Sequence, residues 1–382
     1  MRQAIIKGVF MRNKLLSVML LVGMILLTGC ESKSGPSEKN GDKTTAVDSP
    51  KNSAGGECLR RLEKLGGKLT HHASGAVKSI DLVGIEVDNK TLDGLGELKT
   101  LETLVVASLD RPNPNVTDES IVRLSGIGTL KTLDLCGTAV TAKLLPRLSD
   151  MRSLSQLKMS GNLGHDGFEA LTHFPALTLL ALDVSDVSDG DLKTIAQAKK
   201  LLGLFLSKTA VTDEGVSSLA GLANLKSCRL SNTAITDESV RTLAKLKGLT
   251  DIDLSNTAVG DASLPVIGTM GQVRKLNFYT TKITDAGLDA LSKLENLTSL
   301  NLDNCDISNA GVSKLKPLTN LTFLHLGRTK ITDASLETLA SLSKLKELHV
   351  TRTAVTPAGV ETLRKSLTDC RVIADVETDQ NP

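Results

Sequence analysis

The sequence predicts an α/β solenoid, with a parallel sheet along one face and helical return strokes along the other. Three observations carry this. A 24-residue period runs from about Val77 almost to the C-terminus, most cleanly as LLGLFLSKTAVTDEGVSSLAGLAN (Leu201–Asn224) followed by LKSCRLSNTAITDESVRTLAKLKG (Leu225–Gly248). Each unit opens with L-x-x-L-x-L, a short strand whose first, fourth and sixth residues point inward. Aromatic residues make up only 2% of the chain and Trp is absent, so the core must be Leu, Val and Ile stacked between units. Such an array grows in one dimension, so the 382 residues make one elongated domain rather than two or three globular ones. Its product is a long surface, which suits recognition better than catalysis.

Residues 1–29 read as an address rather than part of the fold. Arg12 and Lys14 precede the apolar run Leu15 to Leu27, which is short for a spanning helix and right for a signal h-region. The segment ends in Leu27-Thr28-Gly29-Cys30, which resembles the lipobox of bacterial lipoproteins. The resemblance implies cleavage before Cys30, lipidation of Cys30, export, and anchoring to a membrane rather than spanning it. Glu31 stands where many inner-membrane lipoproteins carry Asp, which implies the outer membrane in a two-membrane envelope. Residues 30–56 are then a polar tether with too little apolar content to fold, spanning ~30 Å as a coil.

Residues 57–76 read as an N-terminal cap. Cys58, Leu59, Leu62 and Leu65 have helical spacing, Gly66-Gly67 stops the helix, and Lys68 to His72 is expected to pair with Val77 to Leu82. Repeats occupy residues 77–366, with units beginning near Val77, Leu101, Leu130, Leu154, Leu177, Leu201, Leu225, Leu249, Val273, Leu297, Leu321 and Leu345. The second unit holds an insertion around Asp110–Asn115, expected to bulge from a rim, and the fourth is one residue short, with Gly164-His165 in its turn. Residues 367–382 are a C-terminal cap and tail.

Within a unit the ninth residue is usually Thr (Thr138, Thr209, Thr233, Thr257, Thr281, Thr329, Thr353), a hydroxyl placed to satisfy backbone groups of the turn. A Thr-Asp pair follows (Thr212-Asp213, Thr236-Asp237, Thr284-Asp285, Thr332-Asp333). The Thr is placed to cap the convex helix and the Asp to complement its dipole, so these aspartates are helix starts rather than a metal array. This pattern, with Thr ninth and I-T-D-x-G-L after it, resembles the cysteine-containing leucine-rich repeats of F-box adaptor proteins and of many bacterial surface lipoproteins. It implies a leucine-rich-repeat solenoid, a horseshoe of about 12 repeats, over Val77 to Val372. No F-box-like helical segment precedes the array and the lipobox opposes a cytosolic adaptor, so the bacterial lipoprotein branch is the expectation.

Nothing marks an enzyme: there is no G-x-S-x-G, H-E-x-x-H or phosphate-binding Gly loop, and no catalytic residue is assigned. No cofactor and no small-molecule substrate are expected. Without the signal segment the chain has 41 basic and 43 acidic residues and no Lys/Arg run, which argues against a nucleic-acid partner. Cys58, Cys136, Cys228, Cys305 and Cys370 are scattered, with neither C-x-x-C nor a His-Cys cluster, so no zinc site and no disulfide framework are expected. His325 and His349 lie 24 residues apart at the same outward fifth strand position. With Asn301 and Glu347 near, they could share a divalent metal or sense pH, but a pair lacks the third ligand that zinc needs, and a polar ladder is the simpler reading.

The expected partner is a protein or peptide, held on the concave sheet by Phe205, Arg229, Tyr279, Phe323, His325, Arg328, His349 and Arg352. Aromatics and arginines dominate interface energetics, and this aromatic-poor chain gathers them in its C-terminal half. The alternative is an adhesion component of the envelope that binds glycan.

Overall fold

The computed structural model describes residues 53–375. The expected signal peptide, Cys30, and the tether up to residue 52 lie outside the described residues. A single sheet holds fourteen strands in strict sequence order, from Lys68–His71 to Arg371–Ile373. The first pair is antiparallel and each later pair is parallel, as between Phe323–His325 and Glu347–His349. All twelve expected repeat strands are present, and a further strand, Arg371–Ile373, continues the register one unit beyond them, with Val372 opposite Leu348.

Register explains the stack. Leu276, Leu300, Leu324 and Leu348 face one another on adjacent strands, and all are buried. Each such leucine contributes about 2 kcal/mol of apolar burial, which no unit could gain without a neighbour. The convex side is made of short helices of one to three turns, some of them 3-10, such as Asp237–Leu243 and Asp285–Lys293. No helix among the described residues is long and apolar enough to cross a membrane.

The ninth-position hydroxyls all act alike. Thr209, Thr233 and Thr329 donate to the carbonyls of Leu206, Leu230 and Leu326 at 2.6–2.7 Å, and Ser185 does the same to Leu182. Cys305 instead reaches back to the preceding unit, its thiol 3.1 Å from the Phe278 carbonyl that Thr281 also bonds, whereas Asn162 is exposed. One residue earlier the chain turns through left-handed backbone in eight successive units, Val184 through Arg352, although none of these residues is glycine. The strain persists because the amide there is locked to the next unit, as Lys208 N–H is to the Ser231 carbonyl at 2.9 Å.

The N-terminal helix runs Ala54–Lys64, starting ahead of the expected Glu57 because Ser53 caps it and the Glu97 carboxylate accepts from Gly55 N–H at 2.8 Å. The hairpin partner strand stops at His71, where the pairing with Val77–Asp81 bulges. The insertion is stitched down rather than free: Asn113 is buried, its amide donating to the Val87 carbonyl at 2.8 Å and its backbone N–H to the Gly137 carbonyl at 2.7 Å.

Candidate functional site

Outward strand residues line the concave face, and the fifth position follows a local rule. In six of the twelve units the fifth side chain accepts from the backbone N–H two residues on. Asp81 does so for Val83, Asp134 for Cys136 and Asp253 for Ser255, at 2.9–3.1 Å. Asn277 does so for Tyr279, Asn301 for Asp303 and His325 for Gly327, at 2.9–3.2 Å. In these units the polar side chain serves the chain's own turn, a signal visible in sequence only as a preference for short acceptors.

Two clusters hold the expected site residues. In the first, Arg229 lies 4.3 Å over the Phe205 ring and bridges Asp183 at 3.2 Å and Asp253 at 3.8 Å. In the second, Arg328 pairs through two nitrogens with Asp303 and lies 5.1 Å from the Tyr279 ring centroid. Beside it the His325 and His349 rings stack 4.2 Å apart at 13°, and Phe323 sits 5.6 Å from His349. His349 Nε2 donates to Glu347 at 2.6 Å. Burial pushes the His325 imidazole down to about 4, with nearby Asp303 acting against it and His349 and Arg328 reinforcing it.

The structure thus brings Tyr279, Phe323, His325, Arg328 and His349 together, places Phe205 with Arg229 apart from them, and leaves Arg352 exposed. Phe205, Tyr279 and Phe323 are half-buried, because the chain's own arginines cover Phe205 and Tyr279 and the histidine pair abuts Phe323. Sequence reading missed Asp303, which is 6% exposed and is the counterion that orients Arg328. Its signal was an acid at the seventh position, shared with Asp183, which pairs with Arg229 in the other cluster. No group of three or more His, Cys, Asp or Glu among the described residues is placed to hold a metal ion. The Glu347 carboxylate is engaged by His349 and the Asn301 oxygen by a backbone amide, so neither stands free beside the histidine pair. The described cysteines are free thiols, and burial pushes Cys228, which replaces a core leucine, up to about 12.

Fold and face together define a leucine-rich-repeat solenoid with an open, parallel concave sheet. A family model described as Leucine Rich repeat matches residues 293–316 and 318–340. In structure the chain is similar to an internalin (inlF) from Listeria monocytogenes, with 22% identity, a TM-score of 0.55, and coverage of 85% of this chain and 95% of that one. It is also similar to a leucine-rich-repeat protein of Leptospira interrogans (15% identity, TM-score 0.40, 81% and 93% covered). A plant peptide hormone receptor solved in complex with RGF2 matches too (13% identity, TM-score 0.42, 80% and 59% covered). No curated protein matches the chain by sequence.

Proposed function

We propose that the chain is a lipid-anchored, extracytoplasmic scaffold of a bacterial envelope that binds a protein or peptide on the C-terminal half of its concave face and catalyses no reaction. The observation that carries this reading is the grouping of Phe323, His325 and His349 on outward strand positions, with Tyr279 in a turn on the same side, where stacking of the repeats requires no aromatic ring. Pre-ordered rings flanked by fixed ion pairs are the usual anchors of interfaces, because little side-chain entropy remains to be lost. Lipidation at Cys30 rests on the lipobox-like Leu27-Thr28-Gly29-Cys30. The similarity to an internalin, a bacterial solenoid, supports the fold on which this reading stands.

The test is affinity capture from envelope extract, followed by binding measurements on variants. Phe323→Ala and Tyr279→Ala are each expected to weaken the captured partner at least about tenfold, with Lys158→Ala on the N-terminal half changing it less than about threefold. Equal small effects, with a large loss on deleting residues 110–115, would place the site at the insertion instead.

A further inference from the structure

The geometry points to a row of three fixed hydrogen-bond donors, Asn277 Nδ2, Asn301 Nδ2 and His325 Nε2, that reads the main-chain carbonyls of an extended peptide. This rests on the concave face being a peptide site. The three residues are in-register neighbours on consecutive strands, Asn277 beside Asn301 and Asn301 beside His325. In each, the acceptor atom is already taken by the backbone N–H two residues on, at 3.1, 2.9 and 3.2 Å. That bond settles which way each amide and ring faces. The acceptor edge turns toward the backbone and an N–H is left aimed into the groove. None of the three N–H groups has a partner among the described residues.

The fold does not require donors here. Asp81, Asp134 and Asp253 meet the same backbone N–H with a carboxylate. At Asp134 and Asp253 the second oxygen meets a cation, Lys158 at 3.0 Å and Arg229 at 3.8 Å. Asn and His in three consecutive units replace that outward acceptor with a donor. Burial keeps the His325 ring neutral near pH 7, so its Nε2 carries the hydrogen while Nδ1 accepts.

A donor-only row selects acceptor-only groups. Main-chain carbonyls accept and never donate, whereas sugar hydroxyls do both, and half of their capacity would go unused here. Adjacent donors stand ~4.8 Å apart, and same-side carbonyls of an extended chain recur every ~6.7 Å. An extended peptide running along the row sets two successive same-side carbonyls within ~1 Å of two neighbouring donors, an offset the side chains can absorb. Such a path carries side chains past Phe323 on one side of the row and Tyr279 on the other.

Asn→Asp is the discriminating change, because it preserves the acceptor the fold needs and is already native at Asp253 in the next unit. Random peptides displayed on phage are panned against the full-length chain purified in detergent, and the recovered peptides are synthesised for anisotropy titration. Asn277→Asp and Asn301→Asp should each weaken binding by at least about tenfold, with melting temperatures unchanged, while the reverse exchange Asp81→Asn changes it less than about threefold. Peptides that lose affinity on Phe323→Ala but not on either Asn→Asp change would overturn the donor row and leave the concave peptide site standing. Recovery of no peptide, or only of peptides indifferent to all these variants, would overturn both.

Discussion

His325 shows how one side chain can be set by the fold and still face a ligand. Its unfolded value lies near 6.5, and in the folded chain burial pushes it down to about 4. Asp303 and Glu347 favour the charged ring, while burial, His349 and Arg328 oppose it, and the opposing group prevails. Between these two values the unfolded chain takes up a proton that the folded chain refuses. The stability linked to His325 is therefore complete above about pH 6.5, is lost as pH falls toward 4, and levels off below, a change on the order of 3 kcal/mol. His325→Asn keeps the acceptor for Gly327 N–H, as Asn277 and Asn301 do in their own units, and does not titrate. Melting curves from pH 7.5 to 4.5 should show the wild type losing stability relative to this variant. Parallel melting curves would mean that the ring takes up its proton freely.

Between elements, neighbouring units are tied along the convex side by an aspartate ladder. The Asp that opens one helix binds both the N–H and the hydroxyl of the capping Thr in the next unit: Asp189 to Thr212, Asp213 to Thr236, Asp261 to Thr284 and Asp333 to Thr356. Asp285 does the same for Ser308, and Asn309 accepts in its place from Thr332 N–H at 2.9 Å. The residue two beyond each Asp is then constrained by the carboxylate of the unit before. Gly215, Gly311 and Gly359 leave room for it, since a Cβ at any of them would collide with the Asp189, Asp285 or Asp333 oxygen. Ser239 and Ser335 occupy the same place and donate instead, at 2.5 and 2.6 Å. Gly311→Ala should therefore destabilise by about 1–3 kcal/mol, and Gly311→Ser by clearly less, because its hydroxyl can rejoin the ladder. Denaturant unfolding measures both, and a Ser variant as unstable as the Ala variant would rule out this account of the glycine.

For the whole molecule, the problem of a stack is its ends. At the start, the helix Ala54–Lys64 buries Cys58 and Leu62, and Arg61 Nη2 reaches the Thr91 carbonyl at 3.3 Å. At the finish, the helix Pro357–Ser366 and the strand Arg371–Ile373 close over the last repeat. Between them the buried leucines pair unit by unit along the stack. The proposed attachment to a membrane rests separately, on the lipobox-like Leu27-Thr28-Gly29-Cys30 of the sequence. Cys30→Ser should leave an uncut precursor that takes up no labelled palmitate. A variant still cleaved at the same bond and still labelled would remove the lipid anchor from the reading.

Arg371–Ile373 apart, the solenoid, its repeat strands and the inward leucines were legible in the sequence. These follow from periodicity, and a buried position in one unit is buried in all, as Leu204, Leu276 and Leu324 are. The ninth-position hydroxyls were legible for the same reason, because their partner lies three residues away in the same unit, as Leu206 does for Thr209. The concave residues were legible as outward-facing but not as a site. Visible only in three dimensions are the pairing of Arg328 with Asp303 over Tyr279, the cover of Arg229 on Phe205, the stacking of the two histidine rings, and the hold of Asp285 on Gly311 and Ser308. Each of these joins side chains from different units, at distances set by the register and tilt of adjacent strands. A period fixes which residues are neighbours, but not which of a neighbour's atoms a long or charged side chain will meet.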